Sequence, residues 1–190
     1  VGQLGDGTND SKNIPTKIGV DTNWRSVSTY GAYSLAIKTD GTLWAWGRNV
    51  YGQLGDGTSV DKNIPTKIGM DNTWQSVSSG IFHTLGTKTD GTLWAWGENG
   101  IGQLGDGSYV DKNIPTRIGT ATDWRTAAAG YSHTIAIKTD GTLWAWGSNI
   151  VGQLGNGTND SKTIPTKVGT GTTWQSVSAG YDYALAIESN

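Results

Sequence analysis

SLAIKTDGTLWAWG occupies residues 34–47, and its last nine residues return unchanged at 89–97 and 139–147. An Asp-Gly pair divides each copy into two alternating runs. Asp-Gly suits the positive φ values of a tight primed turn, which makes it a strong short-range hairpin signal. With Asp40 and Gly41 as a two-residue loop, Ile37 falls opposite Trp44, Ala36 opposite Ala45 and Leu35 opposite Trp46. That register gathers Leu35, Ile37, Trp44 and Trp46 on one face and small Ala36 and Ala45 on the other. It predicts sheets that stack large face against small face.

The interval between copies is fifty residues. GQLG recurs at 2–5, 52–55, 102–105 and 152–155, and IPT at 14–16, 64–66, 114–116 and 164–166. Aligning 51–100 with 101–150 gives 30 identities in 50 positions, so one structural unit has been duplicated in tandem. Trp24, Trp74, Trp124 and Trp174 each head a further extended run, such as WQSVS at 74–78. IPTKI at 64–68 reads as a short edge strand, because Pro65 has no N–H to donate. Four strands per period make an all-β fold, a β-propeller of four-stranded antiparallel blades. The predicted units are 14–47, 64–97, 114–147 and 164–188, the last one strand short. A parallel β-helix is the alternative, but its shorter rungs leave no place for the GQLGDGT loop. Gly, Pro and β-branched residues interrupt every window that a helix would need.

Composition narrows the function. The net charge is −2 over 190 residues, with no basic arm, which argues against nucleic acid. No apolar run is long enough to span a bilayer, so no membrane partner is expected. Cys is absent, which removes thiol catalysis and disulfides. Ten Trp form rows (Trp44 and Trp46, Trp94 and Trp96, Trp144 and Trp146, with the four strand-leading Trp) that read as blade packing. His83 and His133 stand fifty residues apart without metal-ligand spacing. GQLGDG lacks the Lys-Ser/Thr pair of a phosphate loop. Asp6, Asp56 and Asp106 give way to Asn156 in the fourth unit, a pattern that fits a turn-capping role better than Ca²⁺. No catalytic residue, metal or cofactor is expected.

Residues 101–147, IGQLGDGSYVDKNIPTRIGTATDWRTAAAGYSHTIAIKTDGTLWAWG, resemble a repeat of the regulator-of-chromosome-condensation family. The marks are GQLG with its small turn, the Pro ten residues on, Gly-x-x-His-Thr and the W-G-x-N exit. The resemblance extends over the whole chain and implies a propeller, usually of seven blades. The near-identical repeats are similar to bacterial members, which implies an extracellular or cell-surface setting in a bacterium, with the cytoplasm as alternative. The family's founder exchanges guanine nucleotide on a small GTPase, and other members bind proteins. The chain lacks the Trp of the family's ultraviolet sensor and the founder's basic tail.

Most of the variation lies in the loops that leave the Trp-led strands and in those following W-G-x-N. These loops lie together on one face and carry Tyr30, Tyr33, Tyr51, Ile81, Phe82, His83, Tyr109, Tyr131, His133, Tyr181 and Tyr183. A non-catalytic scaffold that binds a protein there is the leading expectation. Guanine-nucleotide exchange and glycan binding are the alternatives. The unpaired strand at 184–188 fits either the remainder of a longer parent chain or a homodimer closing an eight-bladed ring.

Overall fold

The computed structural model describes residues 1–189, and every regular element among them is a β-strand. The first sheet holds β1 (Trp24–Tyr30), β2 (Tyr33–Lys38), β3 (Leu43–Gly47) and β4 (Lys62–Ile68), antiparallel and in chain order. The second holds β5 (Trp74–Ser79), β6 (His83–Lys88), β7 (Leu93–Gly97) and β8 (Lys112–Arg117). The third holds β9 (Trp124–Ala129), β10 (His133–Lys138), β11 (Leu143–Gly147) and β12 (Lys162–Val168). The fourth is incomplete, with β13 (Trp174–Ala179) paired to β14 (Ala184–Glu188).

This is the expected propeller of four-stranded blades, but the strands are grouped differently. The IPTKI strand closes the sheet of the hairpin before it, Ala45 facing Thr66 and Gly47 facing Lys62, and does not open the sheet that follows. Blades therefore span 24–68, 74–118 and 124–168, and the fourth holds two strands, not three. The loop after β3 returns the chain to the outer edge, where Pro65 needs no ladder donor. Residues 14–18 carry the same IPTKI but form no strand, since no hairpin strand lies beside them.

The hairpin register also differs from expectation by one residue. Ile37 pairs with Leu43, Ala36 with Trp44, Leu35 with Ala45 and Ser34 with Trp46. A primed two-residue turn needs positive φ at Asp40, and among the described residues none other than Gly adopts positive φ. Instead Gly41 N–H bonds Lys38 C=O at 2.9 Å, Lys38 N–H bonds Thr42 C=O at 3.0 Å, and Gly41 alone is left-handed, at φ 79°. This is a three-residue loop with a glycine bulge. The Asp40 carboxylate fixes it by accepting from Thr42 N–H at 3.0 Å and from Thr42 Oγ1 at 2.7 Å.

The one-residue slip moves the indoles to the opposite face. Tyr33, Leu35, Ile37, Leu43 and Ala45 form one side of the first sheet; Trp24, Trp44, Trp46, Ala36 and Lys38 form the other. The aliphatic side packs on the Trp side of the next sheet, where Trp74, Trp94 and Trp96 meet it. The same contact joins the second sheet to the third, and the third to the fourth. On the Trp side of each of the first three sheets a Lys ammonium lies over two indoles. Lys88 Nζ is 3.7 Å from the Trp94 ring centre and 4.8 Å from that of Trp74, and it pairs with Asp71 at 2.7 Å. The desolvated ammonium is thus balanced by two ring faces and a carboxylate.

Leu54, Leu104 and Leu154 are buried plugs between successive sheets, as the GQLG loops suggest. Leu4 has only one sheet against it and remains 41% exposed. The first three plug loops each receive an indole: Trp46 Nε1 donates to Gln3 C=O, Trp96 Nε1 to Gln53 C=O and Trp146 Nε1 to Gln103 C=O, all at 3.0 Å.

Candidate functional site on the loop face

Two sets of loops share the upper face because β1 and β3 both end there, while the Asp-Gly turns share the lower face with the links between blades. Gly41 C=O accepts from Trp74 N–H at 3.2 Å, which ties each lower turn to the next blade. On the upper face the tips of the first hairpins lie side by side. Ile81 N–H donates to Gly130 C=O at 3.3 Å, and Tyr131 N–H to Gly180 C=O at 3.2 Å. The Tyr30 phenol of the first blade is held above its ordinary pKa by partial burial and by Tyr183 and Asp182 of the fourth.

Side chains from neighbouring loops meet across the blade boundaries. Tyr51 and Phe82 rings lie 4.9 Å apart, with the Arg48 guanidinium 5.6 Å from the Phe82 ring centre. Tyr131 and Tyr181 rings lie 4.1 Å apart, tilted by 38°. Tyr51, Tyr109, Tyr181 and Tyr183 are exposed, and Tyr30, Ile81, Phe82 and Tyr131 are half-buried.

Three residues expected on this face are buried instead. Tyr33, His83 and His133 are fully inaccessible. Tyr33 Oη donates to His83 C=O at 2.6 Å and accepts from Thr84 Oγ1 at 3.1 Å, so it stitches the first blade to the second. His83 Nε2 lies 3.2 Å from Thr134 Oγ1 in the third blade. Burial, with a smaller contribution from His133, pushes the His83 pKa down to about 3, so its imidazole is neutral at physiological pH. His133 would meet residue 184, which is Ala184 and not the Thr of the earlier blades, and both its ring nitrogens lack partners. Burial likewise lowers its pKa, against the opposing charge of Asp182. These side chains belong to blade packing because they begin the innermost face of each β2-type strand.

The loops themselves hang on an asparagine, that of W-G-x-N. Asn99 is fully buried, and its Nδ2 donates to Asp106 Oδ1 at 3.1 Å, Ser108 C=O at 3.0 Å and Val110 C=O at 3.3 Å. Its Oδ1 accepts from Leu104 N–H at 3.0 Å. Asn49 and Asn149 repeat the arrangement. The fixed spacing of W-G-x-N from GQLG is the signal in the sequence that could have revealed this role.

Asp56 Oδ1 accepts from Thr58 N–H at 2.9 Å and Oγ1 at 2.7 Å, and Asn156 does the same for Thr158. At Asp106, burial raises the pKa, but bonds from Ser108, Lys112 and Asn99 outweigh it and leave the carboxyl below its ordinary range. These carboxylates therefore cap turns. Among the described residues no three His, Asp or Glu side chains converge.

Comparison with known proteins places these observations. The model of the "Regulator of chromosome condensation (RCC1) repeat" matches residues 40–86, 90–137 and 140–187, and a second model of that repeat matches 24–53, 74–103 and 124–153. No curated protein sequence matches significantly. Among solved structures, human WBSCR16 is 28% identical with a TM-score of 0.88, covering 100% of this chain and 51% of its own. Prp20p of Saccharomyces cerevisiae, described with its binding to Gsp1p and histones, is 20% identical with a TM-score of 0.79, covering 88% of this chain and 44% of its own. Yeast RCC1 (Prp20) with Kap60 bound is 20% identical with a TM-score of 0.78, covering 88% and 43%. The chain thus spans about half the length of these relatives, and the yeast structures bear on the fold alone. The human and yeast origins overturn the expected bacterial type, and with it the bacterial surface location. With both repeat models spread along the chain and the blade geometry behind them, the chain belongs to the regulator of chromosome condensation (RCC1) repeat family.

Proposed function

We propose that the chain is part of a non-catalytic scaffold that docks a protein partner on its upper loop face. The observation that carries this reading is the pairing of aromatic side chains across blade boundaries, Tyr51 with Phe82 and Tyr131 with Tyr181, beside Arg48. Tyr and Phe combine large contact area with few rotamers to freeze, and Arg adds a stacking cation, the chemistry of interface anchors. Buried Asn49 holds the loop that carries Tyr51, so little ordering cost accompanies docking there.

A small GTPase is the partner class that the family's founding member suggests, with nucleotide exchange as the activity. Exchange of this kind needs a surface that deforms a bound partner, not an acid, base or metal of its own. The test uses a panel of small GTPases loaded with fluorescent GDP. One of them should release nucleotide faster with the chain present, and binding should fall at least tenfold on Tyr51→Ser, Phe82→Ser and Tyr131→Ser together. Binding that survives the triple substitution in a folded protein would place the interface elsewhere. Binding without acceleration would keep the docking face and remove exchange.

A further inference from the structure

Two Asn-Gly pairs occur in the chain, Asn99-Gly100 and Asn156-Gly157. They stand in opposite surroundings. Asn99 is buried, and Asp106, Ser108 and Val110 hold its Nδ2. Asn156 is half-buried, and among the described residues its Nδ2 donates to no acceptor. Its Oδ1, by contrast, is crowded with donors. Thr158 N–H approaches that oxygen at 3.1 Å, Thr158 Oγ1 at 2.9 Å and Nδ2 of the buried Asn149 at 3.1 Å.

Asn156 also breaks a pattern. The corresponding residues of the other repeats are Asp6, Asp56 and Asp106, whose Oδ1 caps the turn. Their Oδ2 pairs with a lysine further along the loop, Lys12, Lys62 or Lys112, at 3.1, 3.3 and 3.3 Å. With Oδ1 of Asn156 taking the capping bonds, its Nδ2 stands where that second oxygen would be. An amide nitrogen offers an ammonium nothing to pair with, and Lys162 Nζ reaches instead toward the exposed Asp160, at 4.0 Å.

We propose that Asn156 and Gly157 form a self-modification site, at which the chain converts its own asparagine to aspartate. The Gly157 amide nitrogen gives up its proton and bonds to Asn156 Cγ, unhindered because glycine has no side chain. The Cγ–Nδ2 bond breaks, and the nitrogen leaves as ammonia with that proton, which closes a succinimide ring. Water then adds its hydroxide to Cγ and its proton to the Gly157 nitrogen, and the ring opens to a side-chain carboxyl. Negative charge develops on Oδ1 in both steps, and the three donors already aimed at it act as an oxyanion hole. The same donors draw water to Cγ and away from the main-chain carbonyl, where attack would give isoaspartate and lengthen the backbone. At Asn99 the bonded Nδ2 is held against leaving. The product supplies Lys162 with the carboxylate that Lys12, Lys62 and Lys112 already have.

The test ages the folded chain at mildly alkaline pH and follows its digested peptides by mass spectrometry, scoring aspartate and isoaspartate separately. The peptide with residue 156 should gain about 1 Da at least about tenfold faster than the peptide with residue 99. Aspartate should dominate in the folded chain and isoaspartate in the same chain unfolded in urea, where the donors are lost. Thr158→Val, which removes one donor to Oδ1, should slow the folded reaction about tenfold or more. Asn156→Asp, made directly, should raise the urea midpoint by about 0.2–0.5 M, and adding Lys162→Met should cancel the gain. If Thr158→Val unfolds, the folded and unfolded product ratios of the parent chain still decide. Equal rates at 156 and 99, isoaspartate as the main folded product, an undiminished rate in folded Thr158→Val, or no gain from Asn156→Asp would each overturn the proposal.

Discussion

Replacing Asn99 by Asp changes one atom type and almost no volume, yet it should be among the most damaging substitutions in the chain. The amide sends its N–H groups to Asp106, Ser108 and Val110 from a fully buried position. A carboxylate would turn those donors into an oxygen facing two carbonyls and a second carboxylate. Lost hydrogen bonds cost about 1 kcal/mol each, and an uncompensated buried charge about 3–5 kcal/mol, so a loss of about 3–5 kcal/mol at pH 7 is expected. Asn149→Asp is the internal control. Its partner at the corresponding place is Asn156, not Asp106, so the like-charge repulsion is absent. The second variant should be milder by about 1–3 kcal/mol, the range for two charges at this spacing in a partly screened site. Burial beside Asp106 would raise the pKa of the carboxyl that Asn99→Asp introduces. The penalty is therefore full well above the folded pKa and shrinks as pH falls toward the unfolded value of about 3.9. Urea unfolding followed by Trp fluorescence at pH 7 and pH 5, each variant against the parent at the same pH, measures all three quantities. The reasoning fails if Asn99→Asp lies within about 1 kcal/mol of the parent at pH 7, if both variants cost the same, or if the penalty grows on acidification.

His83 is held neutral in the folded chain at a pKa of about 3, against 6.5 ordinarily. Its contribution is therefore fully present above pH 6.5 and declines as pH falls toward 3, by up to about 1.4 kcal/mol per pH unit. A His83→Tyr variant, copying Tyr33 of the first blade, should show a shallower loss of stability from pH 6.5 to 4; an unchanged slope would remove His83 as the cause. Gly91→Ala places a Cβ 2.0 Å from Thr122 C=O at φ 75°, whereas Gly69→Ala, at φ 62°, meets nothing within 4 Å. The first should cost at least about 2 kcal/mol, from clash and left-handed strain together, and the second about 1 kcal/mol from strain alone. Equal urea midpoints for the two would mean that the lower turns do not lock the blades.

How the sequence and the fold divide the information is clearest in the hairpin. Repetition of TDGTLWAWG every fifty residues, with alternating apolar residues around a glycine turn, determined the strands and the repeat of the sheets, because period and alternation are local properties of the chain. The same residues did not determine register. Asp40 could serve as a turn residue with positive φ or as a carboxylate cap for Thr42, and the second arrangement shifts every cross-strand pair by one. Only the assembled sheet decided which face the indoles occupy, since that choice depends on Leu54-type plugs contributed from elsewhere in the chain. The partner of IPTKI was equally invisible, because a strand separated by a loop from two candidate neighbours carries no local mark of which it joins. Aromatic loop residues were legible as a group, but burial sorted them: Tyr33 was drawn into the blade boundary by His83 C=O, while Tyr51 and Tyr181 were left at the surface. Local patterning writes the elements; contacts between blades, fifty residues apart in sequence, settle which side chains remain for a partner to touch.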